Sequence, residues 1–267
     1  MDTKQKIPLI TFLVGIGSIL TLGAQTIPQT DSLSSSLPLI IIGVVLLMTA
    51  AIVVLNLWSV KKRRESMENF DQESGLQYAV DDRSFSTVIT ESSRFEIFQR
   101  GRRRTASNLL RGYRSGIEVS IFDYRFTTGS GKNRHVHQQT ILLLTLSDAR
   151  LEPFRLRPQH LLDKIATTFG QQDINFPDQP EFSKRYRLQG ENESAIRSVF
   201  SLAVMEFFEQ QSNQTVEAGD NQILFYTAGR LLKTEVLLET LDKAIQLAHM
   251  LRRSTPQSGA DGYGYPR

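Results

Sequence analysis

The chain of 267 residues contains no cysteine. This absence excludes disulfide bonds, thiolate metal ligands and a cysteine nucleophile, and it agrees with a reducing compartment. The sequence also lacks a Gly-rich dinucleotide fingerprint, a Ser–His–Asp grouping and a paired-carboxylate motif. We therefore predict no catalytic residue, no cofactor and no metal site.

Charged residues are missing from two long segments near the N-terminus, residues 7–24 and 37–60. A helix that crosses the bilayer core of about 30 Å needs about 20 apolar residues. The second segment meets this requirement, whereas the first is short and contains glycines. The pattern predicts a two-helix transmembrane anchor within residues 1–64. The alternative for the first segment is a secretory signal that is cleaved after Ala24.

Basic residues predict the orientation of the anchor. A run of four basic residues, 61–64, directly follows the second segment, whereas residues 25–36 contain no Lys or Arg. Positive residues stay on the cytoplasmic side, and aromatic residues favour the interface. The predicted interface residues are Trp58, Lys61, Lys62, Arg63 and Arg64. We therefore predict a multi-pass inner-membrane protein with both termini and its C-terminal domain in the cytoplasm.

The remaining residues predict an α+β domain with a largely antiparallel sheet and about three helices. Residues 61–72 continue the second membrane helix, and Gly75 ends it. The predicted strands are 116–127, 138–146, 151–156, 185–190, 214–218 and 222–228, and the predicted helices are 158–170, 192–211 and 234–252. Pro153 places the strand 151–156 near a sheet edge. The domain spans 65–253, with a split into two subdomains near 175–185 as an alternative, and the tail 254–267 is expected to be disordered.

The stretch "FTTGSGKNRHVH", residues 126–137, resembles a phosphate-binding loop at first sight. The phosphate-loop pattern requires Gly where Phe126 stands and Ser or Thr where Asn133 stands. It also requires a helix after the loop, whereas a strand is predicted here. The glycines are instead typical of a hairpin turn, because they accept positive φ angles.

Three side chains beside this turn could carry chemistry. His135 and His137 share one strand face and could share a metal, but the sequence offers no third ligand in a recognisable pattern. Asp123 lies among apolar strand residues, and Arg125 shares its face. We therefore favour a local ion pair over a catalytic role for Asp123.

The most unusual feature is a basic cluster at residues 94–114, which holds seven Arg and one Glu for a net charge of +6. Such a run should be exposed. Three interpretations compete: a solvated loop, a surface for anionic lipid or a partner, and a nucleic-acid site, which is the least favoured because lipid is the nearest anion. The candidate residues are Arg100, Arg102, Arg103, Arg104, Arg111 and Arg114.

The segment "LRGYRSGIEVSIFDYRFTTGSGKNRHVHQQT", followed by "LEPFRLRPQHLLDKI", resembles a family of uncharacterised bacterial membrane-anchored proteins. The shared features are an Arg-Gly turn, a Phe-Asp-Tyr-Arg strand, a Gly-rich turn, a Gln-Thr strand and a Pro-Phe-x-Leu-Arg-Pro segment. The resemblance covers roughly residues 75–250. It implies a bacterial inner-membrane location and carries no assigned activity.

Two hypotheses on function follow from the sequence. The first is a membrane-anchored, non-enzymatic cytoplasmic domain that binds a partner protein or the anionic membrane surface. The alternative is an enzyme or a nucleotide- or metal-binding domain that uses Asp123, Lys132 and the histidines around the hairpin at residues 123–137. The oligomeric state is left open.

Overall fold

The computed structural model describes residues 37–79, 82–160, 173–211 and 213–254. The chain divides into two units, Met1–Arg63 and Arg64–Arg267. The segment 7–24 and most of the tail lie outside the described residues. The predicted limits of the anchor, the domain and the tail therefore stay predictions.

The first described element is a long helix, α1, which spans Leu37–Ser74. Its 38 residues correspond to about 57 Å of helix. Within the described part of the chain it is the one helix long and apolar enough to cross a membrane. It ends at Gly75, whose φ is 70° and whose N–H donates to the carbonyl of Asp71. The predicted continuation of the second apolar segment is thus confirmed, whereas the first transmembrane helix is not tested.

The second unit contains an eight-stranded sheet in which every neighbouring pair is antiparallel. The strands are β1 (Gln77–Ala79), β2 (Arg102–Arg114), β3 (Ile117–Thr128), β4 (His135–Thr145), β5 (Leu151–Pro158), β6 (Tyr186–Gly190), β7 (Gln214–Asp220) and β8 (Gln222–Thr227). Their spatial order is β1-β2-β3-β4-β8-β7-β5-β6. The predicted α+β class and the antiparallel sheet are confirmed.

Six further α-helices are described in this unit. They are α2 (Asp82–Glu91), α3 (Glu96–Gln99), α4 (Pro180–Arg185), α5 (Glu193–Val199), α6 (Leu202–Gln210) and α7 (Thr234–Ser254). Short helices account for most of the difference from the three helices expected. The sequence therefore predicted the fold class but not the number of helices.

The two faces of the sheet carry separate hydrophobic clusters. Strand β3 alternates, so that Val119 and Ile121 join the first cluster while Phe122, Tyr124 and Phe126 join the second. The first cluster includes residues of α4 to α7 and the end of α1, and the second includes residues of α2 and α3. We call these the first face and the second face of the sheet.

Strand β5 was expected near an edge, and it is the second strand from one end of the sheet, between the edge strand β6 and β7. Pro153 is tolerated because the β5–β7 register shifts between Leu151 and Phe154, which relaxes the ladder where the proline has no N–H to donate. Strand β5 ends at Pro158, where a helix was predicted to begin. Most of that predicted helix lies outside the described residues.

The helix predicted at 192–211 is broken into α5 and α6. Phe200 leaves the helical conformation, with ψ of 68°, and Ser201 is extended at the start of α6. The ring of Phe200 packs edge-on against Phe154, with centroids 5.0 Å apart. Aromatic packing in the core therefore outweighs the helical periodicity at this position.

Candidate functional site

The arginine run lies largely in a strand and not in a loop. Of the three interpretations of residues 94–114, the solvated loop does not hold, because β2 begins at Arg102 and α3 precedes it. Arg102, Arg103 and Arg104 are nevertheless exposed at the start of this strand. Arg103 has a positive φ of 52°, and the β2–β3 register shifts between Arg102 and Thr105. The strand therefore begins irregularly, and this irregular start carries the charges.

The other candidate arginines are engaged within the fold. Arg100 lies over the ring of Phe126, 5.7 Å from its centroid, and 3.9 Å from the carboxylate of Glu96. Arg111 pairs with Glu118 at 2.9 Å. Arg114 pairs with Asp242 at 3.0 Å. These contacts give Arg100, Arg111 and Arg114 structural roles.

The hairpin between β3 and β4 brings more cations to the same end of the sheet. Thr127 pairs with Arg102 on one side, and Thr128 pairs with His135 on the other. The turn between β3 and β4 therefore lies beside the start of β2. The exposed basic residues at this end are Arg102, Arg103, Arg104, Arg125, Lys132 and Arg134. We call this group the basic end; the sequence separates its members by up to 32 residues.

Charge at the basic end is poorly neutralised. The guanidinium of Arg104 donates to the carbonyls of Gln99 at 2.8 Å and Gly101 at 3.2 Å, so this side chain is held in place without losing its charge. The five other members make no ion pair with any carboxylate in the described part of the chain. The basic end is therefore a surface of net charge near +6.

The glycine-rich stretch is a turn between two strands. Gly129 has φ of 71°, and one turn of 3₁₀ helix covers Gly131–Asn133. Strand β4 follows directly, so no helix N-terminus is available for a phosphate, and Lys132 is exposed. The geometry agrees with a hairpin turn and does not form a phosphate cradle.

His137 and Asp123 are engaged within the fold, whereas His135 is exposed. The ring of His137 stacks on Phe126 with centroids 4.7 Å apart, and burial lowers the pKa of His137. Asp123 is buried and accepts hydrogen bonds from Asn108 at 3.0 Å and Thr140 at 2.7 Å, whereas Arg125 is exposed. No group of three or more potential metal ligands occurs among the residues that the structure describes.

The predicted interface residues lie along α1. The ammonium of Lys62 is 5.1 Å from the ring centroid of Trp58, and Arg64 pairs with Glu68 at 2.8 Å. Lys61 and Arg63 belong to the same helical stretch. Their assignment to a membrane interface stays a prediction.

A buried polar cluster on the second face was missed from the sequence. Glu217 is 4% exposed and accepts hydrogen bonds from the Tyr226 hydroxyl and from the Glu96 backbone N–H, both at 2.7 Å. Burial raises the pKa of Glu217, and burial together with the charge of Glu217 raises the pKa of Tyr226 well above its usual value. Because protein groups occupy both carboxylate oxygens, Glu217 anchors the start of α3 to the sheet.

A cavity of about 330 Å³ lies next to this cluster. Its polar lining includes Arg155, which contacts the carboxylate of Glu96 and donates to Gln189 at 2.8 Å. Its other lining residues are Arg94, Phe95, Gln99, Pro153, Phe154, Gly190, Glu191, Glu217, Ala218 and Gly219. The spacing of Arg155 and Arg157 in "FRLRP" was the available sequence signal, since residues two apart on a strand share a face.

Comparison with known proteins supports the fold alone. No protein-family model matches the chain, and no curated protein matches its sequence. One solved structure is similar, the mycobacterial trehalose monomycolate transport factor A, TtfA. The TM-score is 0.54 at 16% sequence identity, and the similarity covers 73% of this chain and 97% of that chain.

Proposed function

We propose that the chain is a membrane-anchored, non-enzymatic protein whose folded domain binds an anionic surface through its basic end. The observation that carries this proposal is the convergence of six exposed cations from β2, β3 and the β3–β4 turn. Each basic residue near an anionic leaflet gains about 1 kcal/mol. In this proposal, the long apolar helix α1 is the part of the chain that anchors it in the membrane.

The fold comparison supports an accessory role more than catalysis. The similar mycobacterial protein is named as a transport factor, so this fold occurs in a protein that serves transport. For the present chain we propose an equivalent kind of role, in which the domain recruits or orients a partner at the membrane. The transported substance of the other protein is not part of this proposal.

Vesicle binding tests the basic end. The fragment 64–254 keeps the buried residues Met67 and Phe70 and should bind phosphatidylglycerol vesicles but not phosphatidylcholine vesicles. Replacing Arg102, Arg103 and Arg134 with Gln removes about 3 kcal/mol of attraction, which corresponds to a loss of affinity of roughly a hundredfold. Because the Debye length at physiological salt is about 8 Å, binding should also weaken as salt is added.

A matched control separates local attraction from net charge. Arg150, Lys184 and Arg253 are exposed elsewhere, and replacing all three with Gln changes the net charge by the same amount. This control variant should bind like the wild type. Equal weakening of both variants would show that the basic end is not the binding surface, and absence of binding by the wild type at low salt would reject the lipid surface. A protein partner would then be sought by crosslinking the full chain in membranes, where the basic-end variant should lose the partner and the control should keep it.

We further propose that the domain lies in the cytoplasm, because the basic run 61–64 follows the apolar part of α1. A reporter enzyme that is active only in the periplasm, fused after Arg253, should show no activity. An active fusion would contradict this topology and would exclude binding to the cytoplasmic leaflet.

A further inference from the structure

The connection between β8 and α7 carries exposed apolar side chains beside basic ones. Outside α1, the exposed large apolar residues in the described part of the chain are Tyr113, Leu202, Leu231 and Val236. Two of them, Leu231 and Val236, lie close together in the sequence, and Arg230 and Lys233 are exposed in the same stretch. We call residues 228–236 the β8–α7 segment.

Hydrogen bonds to strand β4 hold this segment in place. The backbone N–H of Thr140 donates to the carbonyl of Arg230 at 3.1 Å. The backbone N–H of Leu232 donates to the hydroxyl of Thr140 at 3.0 Å, and the side chain of Leu232 is buried in the first-face cluster. Leu231 therefore faces solvent between two anchored neighbours, so that the fold fixes its exposure.

The same strand places the segment at the margin of the basic end. Thr140 shares a face of β4 with Gln138, and two strand residues span about 7 Å. Gln138 pairs with Arg125, a member of the basic end. The exposed cations Arg230 and Lys233 therefore extend the positive surface of the basic end toward β8.

The position of Leu231 distinguishes it from an ordinary exposed leucine. Single apolar residues are common on protein surfaces, and Leu202 is an example, with Ser201 before it and Glu206 one helical turn later. Leu231 instead has cations on both sides and adjoins a larger cationic surface. Basic residues next to exposed apolar ones are typical of a surface that lies in the interface of an anionic bilayer.

We propose that the β8–α7 segment inserts Leu231 into the interfacial layer of an anionic membrane when the basic end contacts the head groups. Arg230 and Lys233 bind phosphate groups beside the point of insertion, because their long side chains keep the charge at head-group level. Val236, in the first turn of α7, adds a second apolar contact. This inference rests on the proposed function and adds to it a contact that salt does not screen.

The absence of cysteine allows a direct test, because one introduced cysteine can carry a fluorescent label at a single position. The full chain is reconstituted in phosphatidylglycerol liposomes with a nitroxide quencher either in the head group or on the acyl chain. We expect the acyl-chain nitroxide to quench a label on Leu231→Cys but not a label on Leu202→Cys. Leu202 is the matched control because it is the more exposed leucine. Equal quenching at the two positions, or quenching at neither, would overturn the proposal.

A label on Ser130→Cys distinguishes this inference from the proposed function. Ser130 is exposed in the β3–β4 turn, so the head-group nitroxide should quench its label when the basic end lies on the bilayer. Quenching at position 130 without acyl-chain quenching at position 231 would refute the insertion and leave the proposed function standing. Absence of quenching at both positions would refute both. Equal acyl-chain quenching at position 231 in phosphatidylcholine liposomes would refute the role of the cations.

Leu231→Ser measures the apolar contribution. The ratio of docked to free domains, read from the label on Ser130→Cys, should fall about threefold, because part of a leucine side chain no longer leaves water. The loss should persist at high salt, which weakens only the ionic contacts. Leu202→Ser should leave the ratio unchanged. A ratio for Leu231→Ser that equals that of Leu202→Ser would contradict the insertion.

Discussion

The end of helix α1 should be indispensable for the stability of the domain. Met67 and Phe70 are three residues apart on one helical face and are 0% and 2% exposed within the first-face cluster. Replacing a buried Phe with Ala costs about 3–5 kcal/mol, and a buried Met costs about 2–5 kcal/mol. Deleting both therefore removes roughly 5–10 kcal/mol, although the two costs need not add because the residues are neighbours. The total stability of a typical domain is about 5–15 kcal/mol.

Urea unfolding of the fragment 64–254, followed by far-UV circular dichroism, measures this contribution. With a slope of about 2 kcal/mol per molar urea, Phe70→Ala should lower the midpoint by roughly 2 M. Asn69 is exposed on the same helical turn, so Asn69→Ala is the matched control and should shift the midpoint little. The shorter fragment 75–254 should unfold at much lower urea or fail to fold.

Two results would refute this reasoning. One is a midpoint for Phe70→Ala that equals that of Asn69→Ala. The other is a fragment 75–254 that is as stable as the fragment 64–254. Either result would mean that the end of α1 contributes nothing to the core, and that the domain begins after Gly75.

Three further predictions concern the β3–β4 turn and the buried carboxylate. Gly129→Ala should destabilise the fragment by about 1–3 kcal/mol, because φ is 71° and the new Cβ would meet the Asn133 carbonyl. Lys132→Ala should change stability by less than about 0.5 kcal/mol in the same urea assay. Loss of function with normal abundance in Lys132→Ala would instead support a ligand-binding role for the turn. The folded-state pKa of Glu217 is raised by burial, so wild-type stability should fall as pH rises from the unfolded pKa through the folded one. Glu217→Gln keeps the shape and should lose this part of the pH dependence, which lies above the unfolded pKa of a glutamate. Parallel pH profiles for the two proteins would contradict this prediction.

Elements whose apolar residues repeat at a regular spacing could be predicted from the sequence. Strand β3 could be predicted with its two faces because apolar and aromatic residues alternate along it, and α7 because its apolar stripe repeats at helical spacing. Strand β2 was missed because Arg102, Arg103 and Arg104 hide the alternation, and because Asn108 interrupts it with a positive φ of 57°. Pairing with β3, and not the preference of these residues, makes this segment a strand.

The candidate sites depend on contacts that no local pattern contains. The exposure of Arg102, Arg103 and Arg104 was predictable from their density of like charge. Their proximity to Lys132 and Arg134 follows only from the β2–β3–β4 register. Likewise, the approach of Glu96 to Glu217 joins residues 121 positions apart.

The short first strand has a consequence for self-association. Strand β1 covers only Leu109, Leu110 and Arg111 of β2, so the earlier part of β2 forms an open edge among the described residues. Open edges invite a strand from a second molecule, and positive charges are a common protection against this. The arginines at the start of β2 would place like charges opposite each other in any edge-to-edge pair. Repulsion between these arginines therefore disfavours pairing of two copies of the sheet through this edge.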